Sequence, residues 1–276
     1  MENNISGIDK ISDLPDALLT HILSFLSPKK AVQTCILSKR WRNTWAYQPV
    51  LKFYFEKFVS TADLRNLRGR ISKYQVKLDK FVEQVLENRE RSLSLDTFKF
   101  RCSSIWNSSF CSFYTFAMKC ILLALEQKPR VFSVHVCGHI PWDLDFIEPI
   151  FTCASLQSIS LKVKYLVLAK RTFELSCAVN LPCLKRLKLG SLRFDDNFLK
   201  MLFSRCPVLE ELELLCCFLY TPPLCSKVLN SLVLKCCYFE NNLAIYAPSL
   251  VHLDIYHTQS NGGKFSLENM ESLVDA

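Results

Sequence analysis

The stretch that decides the fold is Cys206-Pro207-Val208-Leu209-Glu210-Glu211-Leu212-Glu213-Leu214-Leu215-Cys216-Cys217-Phe218-Leu219. Leu209, Leu212 and Leu214 follow the phrase L-x-x-L-x-L, and Cys217 and Leu219 extend it. The same phrase, with other apolar residues allowed, starts at Leu156, Leu184, Leu229 and Leu250. Weaker copies start at Leu95 and Val131. The seven anchors step by 36, 25, 28, 25, 20 and 21 residues. A recurring unit of this size cannot bury an apolar face alone and must stack on its neighbours.

Most of these steps fall within the roughly 20–29-residue period of leucine-rich repeats. In each copy the spaced apolar residues point into a solenoid core and the strands stack in parallel. Cys217 and Cys237 take the position where such a repeat carries Asn or Cys, so they read as repeat structure rather than as metal or redox residues. Connecting segments such as residues 197–203 are expected to be helical or irregular and to line the convex side.

Side chains alternate across a strand, so the residues between the core positions face the concavity. The candidate target-binding face comprises Lys99, Arg101, His135 and Lys162, then Arg186, Lys188, Glu211 and Glu213. It ends with Lys235, His252, Asp254 and Tyr256. Adjacent strands sit about 4.8 Å apart, which sets Arg186 and Lys188 beside Glu211 and Glu213 for cross-strand pairing. The early strands stay basic, a character that favours an acidic or phosphorylated peptide.

The first fifty residues follow a different period. In Asp13-Leu14-Pro15-Asp16-Ala17-Leu18-Leu19-Thr20-His21-Ile22-Leu23-Ser24-Phe25-Leu26 the apolar residues recur at helical spacing. Pro15 suits a first helical turn, and Asp13 or Asp16 suits its positive end. Ser27-Pro28 ends this helix and starts a second, from about Lys29 to Ile36. Ser38 is placed to cap a third, Lys39 to Trp45. Three short helices in so few residues bury little apolar surface, so this piece is expected to pack on a partner or on the rest of the chain.

Leu14-Pro15, Leu19, Ile22-Leu23, Leu26, Ala31-Val32 and Leu37-Ser38-Lys39-Arg40-Trp41-Arg42 together resemble an F-box. The resemblance implies docking on the Skp-type adaptor of cullin–RING ubiquitin ligases. It implies contact first through Leu14 and Pro15, then through Leu18, Ile22 and Leu23, with Leu37 and Trp41 completing the surface. An apolar helix stripe laid into a partner's groove is a common recognition mode. For Leu19, Leu26 and Val32 a core role is preferred. Residues 206–212, with the similar phrases at 181–187 and 247–250, resemble plant-type F-box proteins with leucine-rich repeats. Residues 81–86 look like the helix that follows the F-box there. Many members carry a further C-terminal domain. Residues 270–276 read as the opening of a repeat whose strand is absent, so the chain reads as a short form.

The expected fold is therefore α/β, a three-helix F-box followed by a leucine-rich-repeat solenoid. The expected organisation is a polar tail at 1–10, the F-box at 11–50, a helical linker region at 51–92 and about seven strand units over 93–276. The implied function is the substrate-recognition subunit of an SCF-type ubiquitin ligase, without catalysis or a cofactor of its own. The alternative is a protein-binding scaffold that does not direct degradation.

Composition is consistent with these expectations. Of 276 residues half are hydrophobic and 22% charged, which excludes a disordered chain. No apolar run approaches the ~18 residues of a membrane span, and no basic-then-apolar leader opens the sequence. Residence in the nucleus, the cytoplasm or both is expected. Fourteen cysteines without any C-x-x-C pair read as small buried hydrophobes in a reducing compartment, and no metal is expected. His135 and His139 flank Cys137 on a strand, where the i, i+4 ligand logic of helices does not hold. The net charge of +8 is scattered, whereas a nucleic-acid footprint is clustered. No G-x-S-x-G, Walker or H-E-x-x-H motif occurs.

Overall fold

The computed structural model describes residues 10–54, 71–102, 110–137, 144–164, 179–195, 197–220 and 223–275. Within the first of these segments, helix α1 (Asp16–Ser24) starts after Pro15, whose missing N–H is harmless there. Helix α2 (Pro28–Gln33) is capped by the Ser27 hydroxyl, which accepts from the Lys30 N–H. Asp16 lies in the first turn of α1, at its positive end, without a side-chain cap hydrogen bond. One expectation needs correction. The third helix is a pair of 3-10 turns, Arg40–Arg42 and Thr44–Tyr47, and Ser38 does not cap it. The Ser38 hydroxyl instead meets that of Ser12, 3.2 Å away, and the Trp41 indole N–H donates to Ser12 Oγ at 3.1 Å. Leu19, Leu23, Ala31 and Trp41 form the small buried core of this module.

The repeats build one eight-stranded parallel sheet. Its strands are β1 (Val50–Tyr54), β2 (Thr97–Cys102), β3 (Val131–Cys137), β4 (Ser158–Lys164) and β5 (Arg186–Gly190). After the two-residue strand β6 (Arg193–Phe194), the sheet continues with β7 (Glu211–Leu215). The short strands β8 (Phe218–Leu219) and β9 (Leu224–Cys225) precede β10 (Ser231–Lys235). Strands β11 (Tyr238–Phe239) and β12 (Leu243–Tyr246) precede the last member, β13 (His252–Tyr256). The order β1-β2-β3-β4-β5-β7-β10-β13 follows the chain, as a solenoid requires. The register sets core positions side by side: Phe98 beside Phe132, Leu187 beside Leu212, Leu212 beside Leu232. Phe98 and Phe132 stack with ring centroids 5.3 Å apart.

Strand β1 lies where a helical linker was expected, and it pairs with β2 from Val50 opposite Thr97 to Tyr54 opposite Arg101. Among the described residues the sheet thus has eight strands, where about seven were expected, and it begins at the end of the helical module. The periodic phrase missed it because Leu51 and Phe53 make only a short apolar alternation, with no third anchor. Helix α3 (Ile71–Glu87) follows as expected.

Behind the sheet lie α3, α4 (Phe110–Leu125), α5 (Leu144–Phe151) and α6 (Phe198–Arg205). Lys119 of α4 bridges Glu83 and Glu87 of α3, one turn apart. From β8 onward strands replace helices, a departure from the expected convex side. Strands β6, β8, β11 and β14 (Gln259–Ser260) form a second sheet, and β9, β12 and β15 (Phe265–Glu268) a third. The coils at 209–268 are therefore three-sided. Steps of 20 and 21 residues leave no room for a strand, a helix and two turns, so short strands close each coil.

A side-chain ladder marks where each late coil leaves the main sheet. Cys217 Sγ donates to the Leu189 carbonyl at 3.6 Å, and Cys237 Sγ to the Leu214 carbonyl at 3.2 Å. Thr258 Oγ1 donates to the Leu234 carbonyl at 3.1 Å. Each donor reaches the strand before its own. The residue preceding each turns the chain with a positive φ: Cys216 at 51°, Cys236 at 54° and His257 at 47°. None is glycine, so each turn carries a local steric cost.

The final correction concerns residues 270–276. The expected missing strand has begun: Asp275 bridges His252 in parallel, and the Leu253 N–H donates to the Asp275 carbonyl.

Candidate functional site

Two surfaces can hold macromolecules. The first is on the helical module. Leu18 and Ile22 on α1 and Phe25 at its C-cap recur at i, i+4 and i+7 and are 49%, 40% and 76% exposed. Ile36 and Leu37, at 84% and 64%, add to the exposed apolar surface of the module. Pro15 is exposed at the start of the helix, and Leu14 is half-buried against the module's core. Leu23 and Trp41 are corrected: both are buried and hold the module together from inside. Leu23 lies four residues after Leu19 and shares its inward face. Phe25 and Ile36 escaped the sequence reading, although the spacing from Leu18 and Ile22 points to Phe25.

The second surface is the open face of the main sheet. The register brings the predicted face residues into rows. Arg101, His135 and Lys162 stand side by side on β2, β3 and β4, and Lys52 and Lys99 stand beside each other on β1 and β2. Lys188 Nζ lies 2.6 Å from Glu213 Oε2, as the cross-strand expectation had it. Arg186 stands opposite Glu211 but makes no ion pair with it among the described residues. Lys235 pairs with Asp254 at 2.7 Å, and His252 Nδ1 lies 3.0 Å from Asp275 Oδ2. Tyr256 is exposed on the last strand. His135 Nε2 is 2.9 Å from Ser160 Oγ. Its pKa is lowered, first by burial and then by the charges of Lys162, Arg101, Lys188 and Lys99.

No metal constellation accompanies these surfaces among the described residues. No three His, Cys, Asp or Glu side chains there converge on a metal position. His139 lies outside the described residues. Burial pushes the Cys217 thiol well up, as suits a ladder rather than a nucleophile. No helix among them is long and apolar enough to cross a membrane.

Two protein families match the chain. The F-box domain matches residues 11–53, and the family described as "FBD-associated F-box protein At5g56370, LRR repeats" matches residues 131–270. The chain belongs to the F-box/leucine-rich-repeat family. Among similar F-box/LRR proteins is Arabidopsis thaliana At1g66290, named for F-box, FBD and LRR repeats. It is 32% identical, over 99% of this chain and 56% of its own length. The F-box/LRR-repeat protein At1g55660 of the same organism is 34% identical, over 74% of this chain and 51% of its own length. The chain thus spans little more than half the length of these F-box/LRR relatives. The F-box match ends within β1, so the F-box runs directly into the first strand of the sheet.

Proposed function

We propose that this F-box/LRR protein is the substrate-recognition subunit of an SCF-type cullin–RING ubiquitin ligase. The F-box binds a Skp-type adaptor, and the open sheet face binds a target protein. The chain performs no chemistry itself. It raises the effective concentration of the target beside the ubiquitin-carrying enzyme.

The observation that carries this reading is the apolar stripe of Leu18, Ile22 and the C-cap residue Phe25 along a helix whose other face is already packed. A module with four core residues gains nothing in its own stability by leaving these side chains in water. A partner's groove accounts for them. The face wanted by the adaptor is thus distinct from the buried Leu19 and Leu23.

The test is capture of the full chain by a purified Skp-type adaptor, beside Leu18→Asp/Ile22→Asp and Leu14→Ala/Pro15→Ala. Binding by the native chain and loss in the exposed-stripe variant support the reading. Undiminished binding by a folded Leu18→Asp/Ile22→Asp variant refutes it. Adaptor capture without ubiquitin transfer to any bound target would leave a scaffold that does not direct degradation.

A further inference from the structure

The turns that follow β5, β7, β10 and β13 form a row along the late coils. Gly190 stands beside Leu215, Leu215 beside Lys235 and Lys235 beside Tyr256. The residues one position further on, Ser191, Cys216, Cys236 and His257, therefore succeed one another at the same place in four coils. All four have a positive φ, between 47° and 59°. Each of the first three is tied to the coil after it. The Ser191 N–H donates to the Leu215 carbonyl, that of Cys216 to Lys235 and that of Cys236 to Tyr256, at 2.7–2.8 Å. Neighbours in the row are thus held near the strand spacing of about 4.8 Å, with matching φ.

Two adjacent members of this row are thiols. Cys216 and Cys236 are free and exposed, whereas the next pair along the chain, Cys217 and Cys237, is buried and donates to the carbonyls of Leu189 and Leu214. A left-handed turn favours Gly, and any other side chain there carries a steric cost. Packing does not explain cysteine at two successive turns, because both side chains face solvent. The outer thiols are near enough to act on each other: burial raises the Cys216 pKa first, and the adjacent Cys236 and Cys237 add to the rise. A disulfide needs Cα atoms roughly 4.4–6.8 Å apart, a range that includes the strand spacing. The two sulfurs can therefore join without unfolding either coil.

We propose that Cys216 and Cys236 are a peroxide-oxidised pair that closes a reversible disulfide between neighbouring coils. This goes beyond the ligase reading and does not depend on it. The thiolate of one cysteine attacks an oxygen of hydrogen peroxide. The O–O bond breaks, a sulfenic acid forms, and the departing hydroxide takes up a proton to leave as water. The second cysteine loses its proton and attacks the sulfenic sulfur. The S–S bond forms, the S–O bond breaks, and a second water leaves. The two thiols have lost two electrons and the peroxide has gained them. In a reducing compartment such a bond is transient, since both sulfurs are open to thiol–disulfide exchange with a small reductant. While it lasts, it closes residues 216–236 into a ring and restricts the unfolded chain.

The experiment uses the full reduced chain, treated with hydrogen peroxide, then alkylated and digested with trypsin. Cleavage after Arg205, Lys227, Lys235 and Lys264 places Cys216 in the peptide 206–227 and Cys236 in the peptide 236–264. Mass spectrometry should find these two peptides joined, and dithiothreitol should part them. Cys216→Ser and Cys236→Ser should each lower the joined fraction at least ~10-fold, while Cys225→Ser and Cys217→Ala retain it. Oxidation should raise the melting temperature of the native chain by about 5 °C and leave that of the two single-Ser variants at the outer pair unchanged. Joined peptides at native level in Cys216→Ser or Cys236→Ser would move the bond to another pair and overturn the proposal. It is equally overturned by a native chain, folded by circular dichroism, that ends as sulfenic or sulfinic acid without a joined product. A bond formed only between chains, seen as a dimer on a non-reducing gel, overturns it as well.

Discussion

The Arg89 guanidinium donates through Nε to the carbonyl oxygen of Gln48, 3.0 Å away, joining the end of the F-box to the segment that follows α3. Both residues are buried. The other guanidinium nitrogens reach the carbonyls of Glu90, Leu93 and Ser94 and the side-chain oxygen of Gln127, at 2.7–3.2 Å. The Gln127 amide in turn donates to the Leu86 carbonyl, and the Gln48 amide to that of Leu23. One hydrogen-bonded chain therefore runs from α1 through the F-box terminus to the loops before β2 and β3. Burial lowers the Arg89 pKa, and the charge of Glu90 partly offsets it. A buried cation held by neutral acceptors fixes geometry, because its planar fork satisfies several carbonyls at once.

Arg89→Ala is therefore expected to destabilise the protein by about 2–4 kcal/mol, since several buried acceptors lose their donor. Arg89→Lys should recover little, because one ammonium cannot span the same carbonyls. Urea unfolding measures both. A midpoint for Arg89→Lys equal to that of the native chain would show that charge, not the fork, is what matters. Limited proteolysis should cut sooner near residue 50 in Arg89→Ala, where the F-box loses its tie to the repeats.

The ladder of Cys217, Cys237 and Thr258 makes a second, graded prediction. Thr258→Val keeps the shape and removes the hydroxyl donor to Leu234, at a cost of about 0.5–1.5 kcal/mol. Cys237→Ala removes a donor and buried volume together. It should cost more than Thr258→Val, because Cys237 is buried while Thr258 is half-buried. Thermal melts of the two variants and the native chain give the order.

Much of this architecture is legible in the chain because repetition amplifies a weak local signal. One L-x-x-L-x-L phrase says little, but seven in series fix parallel strands, their facing sides and the pairing of Lys188 with Glu213. Strand β1 was illegible because it has only Leu51 and Phe53 to announce it, and its partner strand begins over forty residues later. The short strands closing the late coils were hidden as well: two residues such as Phe218–Leu219 carry no periodicity. The Arg89 joint has no local signature either, since its acceptors are mostly backbone carbonyls. On the F-box, helical spacing grouped the apolar residues correctly but did not say which face was inward. Leu23 and Trp41 turned in, while Leu18, Ile22 and Leu37 stayed out.

That division predicts two distinct ways of losing adaptor binding. Leu23→Ala cuts a side chain from a core of four and should destabilise the F-box by about 2–4 kcal/mol. Its binding defect should track unfolding and shrink on cooling toward the temperature of maximum stability. Ile22→Ala and Phe25→Ala should leave the melting temperature within about 2 °C of the native value, being exposed changes. They should nonetheless weaken adaptor capture at every temperature. Titration calorimetry beside thermal melts separates the two classes, and a stable Leu23→Ala variant with weakened binding would return that residue to the interface.

The cysteines supply a prediction with a definite sign in pH. Burial pushes the Cys206 thiol up to about 12 and that of Cys120 further still. In the unfolded chain both ionise near the ordinary value of 9.0. The folded state thus holds these protons more tightly, so their contribution to stability is complete below pH 9 and is lost as pH rises toward 12. Unfolding midpoints should fall across that window, and Cys206→Ala should flatten part of the fall while costing stability at neutral pH. Alkylation of the native protein at mildly alkaline pH should mark exposed Cys183, Cys225 and Cys236 and spare Cys102, Cys120, Cys206, Cys217 and Cys237. Cys216, exposed but with its pKa raised by partial burial and then by its cysteine neighbours, should react only as the pH is raised further. Mass spectrometry of the labelled peptides reads the order, and early labelling of Cys217 or Cys237 would contradict their place in the ladder.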